Sequence, residues 1–244
     1  MIKKNLKERQ KAIELKKRMA DLKANRREGL VLERKRPELL EKPSILIYCE
    51  GKNTEPSYFN KFRFSSLSIF SFGEGKNTLS LVKRAIQLST QQKYDQVWCV
   101  FDADPKLDNP IQLKNFNSAI ELAERNNFEV AYSNQAFEYW LILHFEDHQG
   151  GAMHRNDYGD KLNFYLKKFG VYYHYDGDKT INQDFFDILT AIVRTDKHGK
   201  KITRSNIASK RAEKIYSKYD HRSPGREESS TTVYKLVNEL DKYL

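Results

Sequence analysis

Three acidic residues stand where acids are able to act together. Glu50 directly follows the apolar run SILIYC at Ser44–Cys49, and Asp102 and Asp104 directly follow QVWCVF at Gln96–Phe101. If both runs are strands of one parallel sheet, their C-terminal ends share an edge, the place where ligand sites form in such sheets. Residues about fifty positions apart then meet. Three carboxylates in so small a region raise each other's pKa unless a cation neutralises them. The matching cation is hard and oxygen-seeking. Mg²⁺ fits, held by a few carboxylates with its other positions left to water and phosphate, and Mn²⁺ accepts the same oxygen donors. Glu50, Asp102 and Asp104 are therefore candidate metal ligands. Taken singly, each reads as a solvated loop acid or a helix cap, and only their convergence at two strand ends favours the metal.

Other residues carry weaker signals. Gly-Lys-Asn-Thr occurs twice, at Gly51–Thr54 and Gly75–Thr78. A phosphate-binding P-loop needs a glycine five residues before the Gly-Lys pair, but those positions hold Leu46 and Phe70. Each tetrapeptide is better explained as a strand-to-helix turn with a polar cap. Glu55 reads as a first-turn helix acid, and His144, near the end of an apolar helix, as structural or catalytic. The only cysteines, Cys49 and Cys99, lie inside apolar runs and read as core side chains. Two cysteines exclude a disulfide scaffold and a cysteine-ligated zinc ribbon. Tyrosine is too abundant, at 14, for one to be singled out as a nucleophile.

The elements that must position the acids follow from apolar periodicity and turn residues. Strands are expected at Ser44–Cys49, Leu67–Phe72, Gln96–Phe101 and Phe128–Tyr132. Helices are expected around Tyr58, Phe59 and Phe62, from Asn77 or Thr78 through Leu79, Val82, Ile86 and Leu88, and over Ile111–Asn126. Ser133-Asn134 reads as the cap of a helix holding Phe137, Trp140, Leu141 and His144. Strands alternating with helices argue for βαβ units and an α/β fold with a parallel sheet flanked by helices. Beyond His144 the pattern weakens. Gly150-Gly151 and Asn156–Asp160 read as an insertion or boundary, followed by helical candidates at Lys161–Phe169, Asp184–Arg194, Asn206–Lys218 and Thr231–Leu244, with a loop at Arg222–Arg226. The expected organisation is an arm over 1–42, a metal-binding domain over 43–146 and a mainly helical region over 147–244.

The net charge of +10 is unevenly distributed. Residues 1–42 hold 15 Lys/Arg against 7 Asp/Glu, a net of +8, whereas the remaining 202 residues are close to neutral. Ala12, Leu15, Met19 and Leu22 recur at helical spacing on this basic N-terminal helix, and Arg36-Pro37 and Lys42-Pro43 mark a linker. Two readings stand side by side. In one the arm tracks nucleic-acid phosphates, DNA or RNA, through Lys16, Lys17, Arg18, Arg26 and Arg27, joined by Lys52 beside the acids. In the other its apolar stripe packs on the body or on a second copy, giving a homo-oligomer. No apolar run approaches the roughly 18 to 20 residues of a membrane span, and MIKKNLKER leads into no apolar segment of a secretory signal. A soluble, cytoplasmic protein without a membrane role is expected.

ILIYCEGKNTEPSYF at Ile45–Phe59, then VFDADP, then SNQAFEYWLILHF ending at Phe145, resemble in order and spacing the RloB-like proteins, a branch of the Toprim-type nucleases. A looser likeness covers Ala208–Lys214 and Ser229–Val233. Gln135 stands where many relatives have proline, a change in a turn that leaves the acids untouched. The resemblance implies a Toprim-like fold and metal-dependent cleavage of phosphodiester bonds, with Glu50 in acid/base chemistry and Asp102 and Asp104 holding Mg²⁺. It also gives Glu138 a site role, catalytic beside Glu50, although Glu138 equally suits a helix N-terminus as a favourable charge. The setting it implies is bacterial antiphage defence, often beside an AAA-type ATPase partner. A non-catalytic nucleic-acid-binding or regulatory partner of that ATPase is the alternative.

Overall fold

The computed structural model describes residues 10–21, 23, 42–104, 110–148, 151, 153 and 155–244. The chain forms two compact units, residues 1–41 and 42–244. In the first, residues 10–21 form helix α1, which carries Ala12, Leu15, Lys16, Lys17, Arg18 and Met19. Leu22, Arg26, Arg27 and Arg36-Pro37 lie outside the described residues, as do Pro105 and Gly150.

The second unit is built on four strands, β1 (Ser44–Cys49), β2 (Ser68–Gly73), β3 (Gln96–Asp102) and β4 (Glu129–Ser133). They are all parallel, in the order β2-β1-β3-β4. Between them run α2 (Thr54–Phe59), α3 (Thr78–Gln91) and α4 (Pro110–Arg125). The apolar runs of β1 and β3 are buried on both faces because helices cover both sides, as a parallel sheet requires. Leu46, Tyr48, Cys99 and Phe101 join Leu81, Val82 and Ala85 of α3 and Phe116, Ala119 and Ala123 of α4 in one core. Ile45, Ile47, Cys49 and Val100 point to the other face and join α2, with Tyr58 and Phe59. This α/β arrangement is consistent with a Toprim-like fold.

The sequence pattern suggests a boundary at 146/147, but the packing runs across it. Helices α5 (Phe137–Leu143), α6 (Arg155–Leu166), α7 (Gln183–Thr190), α8 (Arg204–Tyr216) and α9 (Val233–Leu240) all contribute side chains to the core that holds Ile45 and Val100. Each large apolar side chain buried there, such as Trp140, Phe185 or Leu236, contributes roughly 1.5 to 3 kcal/mol of transfer free energy. The sheet is therefore covered on this face by the C-terminal half of the chain. That half also closes the β4 edge. Thr231 bridges Ser133 in antiparallel fashion, Thr232 N–H donates to Tyr132 O at 2.8 Å and Asn134 N–H to Ser230 O at 2.8 Å.

Several local expectations are corrected. Ser133-Asn134 does not cap α5, which begins after Ala136, because the Asn134 side chain donates to Pro224 O at 2.9 Å. The polar stretch from Asn156 is part of α6 rather than an insertion, its Tyr158, Leu162 and Leu166 reaching the core. The helix expected to run to Arg194 stops at Thr190, and Ile192–Thr195 (β5) pairs antiparallel with Lys201–Thr203 (β6). In the turn between them Asp196 accepts the His198 and Lys200 N–H groups. Both faces of β5 are exposed, so its sequence carries no burial alternation to reveal it.

Candidate functional site

Glu50 and Asp102 sit at the ends of the two central strands, and adjacency places them together. Glu50 N–H continues the ladder to Val100 O at 2.8 Å. Its Oε2 accepts the Asp102 backbone N–H at 3.2 Å. Asp102 Oδ2 accepts the Phe137 N–H at 3.2 Å, which fixes the carboxylate against the start of α5. The next turn is held by Gln112 of α4, whose Nε2 donates to Ala103 O at 3.2 Å and Asp104 O at 2.7 Å. Asp104 adopts φ 37°, a left-handed backbone that Asp tolerates better than most residues.

These acids line one cavity of about 270 Å³, together with Gly51, Lys52, Asn53, Thr54, Glu55, Gln112 and Lys179. A second cavity of about 260 Å³, lined by Asn77, Thr78, Ile111 and Asn115 among others, shares Glu50 and Gln112 with it. Three of the expected residues, Glu50, Asp102 and Asp104, are thus brought together, with Lys52 beside them. Glu55, read from sequence only as a helix acid, joins them. It is buried, and its Oε1 accepts the Gly51 N–H at 3.2 Å. A Cβ on Gly51 would lie 2.3 Å from Glu55 Oε2, so any larger residue there would push the Glu55 carboxylate aside. The glycine at the end of β2 is more tightly constrained, because its neighbours are backbone atoms. A Cβ on Gly73 would lie 1.9 Å from the Gly51 carbonyl oxygen, so the β1–α2 turn can settle only against a bare backbone.

Glu138 is not among the described lining residues of this cavity. It is buried on α5, where its Oε1 accepts the Tyr173 hydroxyl at 2.9 Å. That hydroxyl is in turn 3.4 Å from Thr54 Oγ1, so Glu138 reaches the cavity wall through Tyr173. Sequence offered no sign of the link, because Tyr173 lies 35 residues beyond Glu138 and is one tyrosine among many. His144 is buried, its Nδ1 3.0 Å from Trp140 O, and desolvation holds its pKa down to about 3. It is a neutral core imidazole. Burial likewise raises the Cys49 thiol well above its usual range and pushes Cys99 up to about 12, leaving neither as a thiolate nucleophile.

The donor set is all oxygen, the chemistry of Mg²⁺ rather than of a soft metal. Among the described residues no three acidic, histidine or cysteine groups converge closely enough for a fully protein-ligated ion. Mg²⁺ does not require such a cage, since it is typically bound through one or two carboxylates and keeps several waters. The residues fit that kind of site.

The RloB-like protein family profile matches residues 45–240, which takes in all four strands but for Ser44 and every carboxylate of the cavity. The chain belongs to the RloB-like family. No curated protein and no solved structure matches it. In this RloB-like chain the matched region also covers Tyr173 and Lys179, so the cavity wall from the C-terminal half lies inside the family's span. Among the described residues no helix is long and apolar enough to cross a membrane.

Proposed function

We propose that this RloB-like protein is a Mg²⁺-dependent nuclease that cleaves phosphodiester bonds in DNA or RNA, with Mn²⁺ as a substitute. The observation that carries the reading is the meeting of Glu50, Asp102 and Asp104 in one cavity at the ends of adjacent central strands. Asp102 and Asp104 would hold the ion, which when bound supplies positive charge to the phosphate and lowers the pKa of a coordinated water. Glu50 moves a proton to or from the attacking or leaving oxygen. Glu138 supports the wall through Tyr173 and Thr54. Lys52 contacts phosphate at the cavity rim, and Lys16, Lys17 and Arg18 of α1 contact nucleic-acid phosphates. The test is a panel of single- and double-stranded DNA and RNA with Mg²⁺ or Mn²⁺, run on the parent and on Asp102→Asn. Metal-dependent cleavage that disappears in the variant supports the reading, and no cleavage of any substrate by the parent counts against it.

A second reading has its own observation. Glu50 and Asp102 each hydrogen-bond a backbone N–H of the fold, the arrangement of acids that serve structure. Under it the chain is a non-catalytic nucleic-acid-binding or regulatory partner of an AAA-type ATPase in a bacterial, cytoplasmic antiphage defence system. Purification together with the ATPase and a cleavage assay of the pair separates the two.

A further inference from the structure

Lys179 reaches the acidic cavity from a loop more than seventy residues beyond Asp104, and nothing in the motifs points to it. The geometry points to Lys179 as a phosphate-positioning residue, one that holds a non-bridging oxygen of the substrate phosphodiester across the cavity from Glu50, Asp102 and Asp104. This inference rests on the phosphodiester reading above and adds a residue and a ligand atom to it.

Three observations carry it. First, the loop is fixed to the site's own helix at both ends. Tyr173, before the loop, meets Thr54 of α2, and Ile181, after it, donates its N–H to Ser57 Oγ of α2 at 2.8 Å. Inside the loop, Lys179 and Gly177 both donate N–H to His174 O at 3.1 Å. Tyr175 lies so close over Gly159 that a Cβ there would come within 2.0 Å of its ring, and its hydroxyl donates to Asp160 at 2.6 Å. Second, Lys179 is held at φ 55°, a backbone conformation unfavourable for lysine. Glycine or asparagine would occupy that position with less strain. Among the described residues five non-glycine positions have positive φ, and two of them, Asp104 and Lys179, line this one cavity. Strain of this kind persists where surrounding structure enforces it, and it concentrates at functional sites.

Third, the charge is not consumed by the fold. Among the described residues neither Lys179 nor Lys52 is in a salt bridge, although four carboxylates line the same cavity. Lys52 is exposed and lies along Gly75, whereas Lys179 is half-buried. A cation that lines the same cavity as the carboxylates without a salt bridge of its own suits an anionic ligand that enters there. A phosphodiester has that form, one oxygen for the lysine and the others toward the acids and their ion.

The experiment measures binding of 5′-phosphorylated dithymidylate to the full chain by calorimetry in Mg²⁺. The variants are Lys179→Gly, Lys179→Asn and Lys179→Arg. Gly and Asn remove the charge while easing the backbone, so their melting temperatures should equal or exceed the parent's. Their affinity should fall by about ten- to a hundredfold, the scale of one charged hydrogen bond, while Lys179→Arg stays within a few-fold of the parent. Parental affinity in Lys179→Gly and Lys179→Asn overturns the role of Lys179 and leaves the phosphodiester reading standing. Failure of the parent itself to bind the dinucleotide overturns the inference, while the reading beneath it stands or falls on the cleavage panel.

Discussion

The Glu50 carboxylate accepts the backbone N–H of Asp102 at 3.2 Å, so the acid ending one central strand is keyed to the backbone of the next. The pairing registers β1 against β3 at the edge where the cavity opens. It also means that each acid has a structural bond as well as any chemical task, and variants must be chosen to separate the two.

Asp102→Asn keeps an oxygen acceptor for the Phe137 N–H and loses the charge. It should fold normally and bind Mn²⁺ more weakly by at least the roughly ten- to hundredfold that even an outer-shell partner contributes. Asp102→Ala should lose the same affinity and also about 1 kcal/mol of stability, as removal of a helix-start acceptor does. Calorimetric titration with Mn²⁺ beside thermal melts gives both numbers. Unchanged Mn²⁺ affinity in Asp102→Asn and Asp104→Asn would remove the metal assignment.

Glu50→Gln is isosteric and retains a carbonyl oxygen for the Asp102 N–H. Nucleic-acid binding should survive while turnover drops by about a hundredfold or more, the scale of general acid–base catalysis. Single-turnover cleavage at saturating substrate measures it. A parental rate would reduce Glu50 to its backbone bond.

Gly73→Ala tests how the β1–α2 turn is seated. Its methyl would fall 1.9 Å from Gly51 O and 2.7 Å from Cys49 O, both backbone atoms with little room to yield. Stability should fall by about 1 to 3 kcal/mol, typical of overpacking, and Mn²⁺ affinity should fall with it because Glu50 moves. A variant with the parent's urea midpoint contradicts the tight seating of that turn.

The buried His144 gives a pH dependence of defined sign. Its folded pKa lies near 3, and an unfolded imidazole titrates near ~6.5. Between those values the unfolded chain binds a proton that the folded chain refuses. Its contribution is therefore complete above the unfolded pKa and declines as pH falls, by up to about 1.4 kcal/mol per pH unit. Urea midpoints for the parent and His144→Leu should converge from pH 7.5 down to pH 4.5. Parallel curves would mean that His144 does not remain neutral.

Deleting residues 1–41 should leave a folded body, because residues 42–244 are a compact unit by themselves. If α1 and its neighbours track phosphates, the deletion weakens nucleic-acid binding and lowers the log affinity–log salt slope by about 0.7 to 0.9 for each phosphate no longer neutralised. If the Ala12, Leu15 and Met19 stripe docks on a second copy or the ATPase, the mass in solution changes and the slope does not.

The sheet was legible because β1 and β3 are short runs that are apolar after their first residue and are ended by acids, and the site acids followed from where those runs stop. The expected span of β1 is the observed one, and α3 starts where expected but runs three residues past Leu88, to Gln91. The rest depended on pairings that leave no local pattern. Glu55 looks like any first-turn acid until Gly51 is seen to close on it. Tyr173, Ser57 and Ile181 join segments more than a hundred residues apart. The β5–β6 pair is exposed on both faces of β5, and a strand without a buried side has no alternation to read.

The antiparallel bridge of Thr231 to Ser133 has a consequence for biosynthesis. Residues 44–104, with all four cavity carboxylates, leave the ribosome well before residue 173, and the segment that seals the β4 edge emerges later still. A nascent chain halted before residue 231 has an open sheet margin and a core face without α9. Completion of the fold is thus tied to translation through α9, and a prematurely terminated product cannot assemble the protected sheet on which the acidic cavity is mounted.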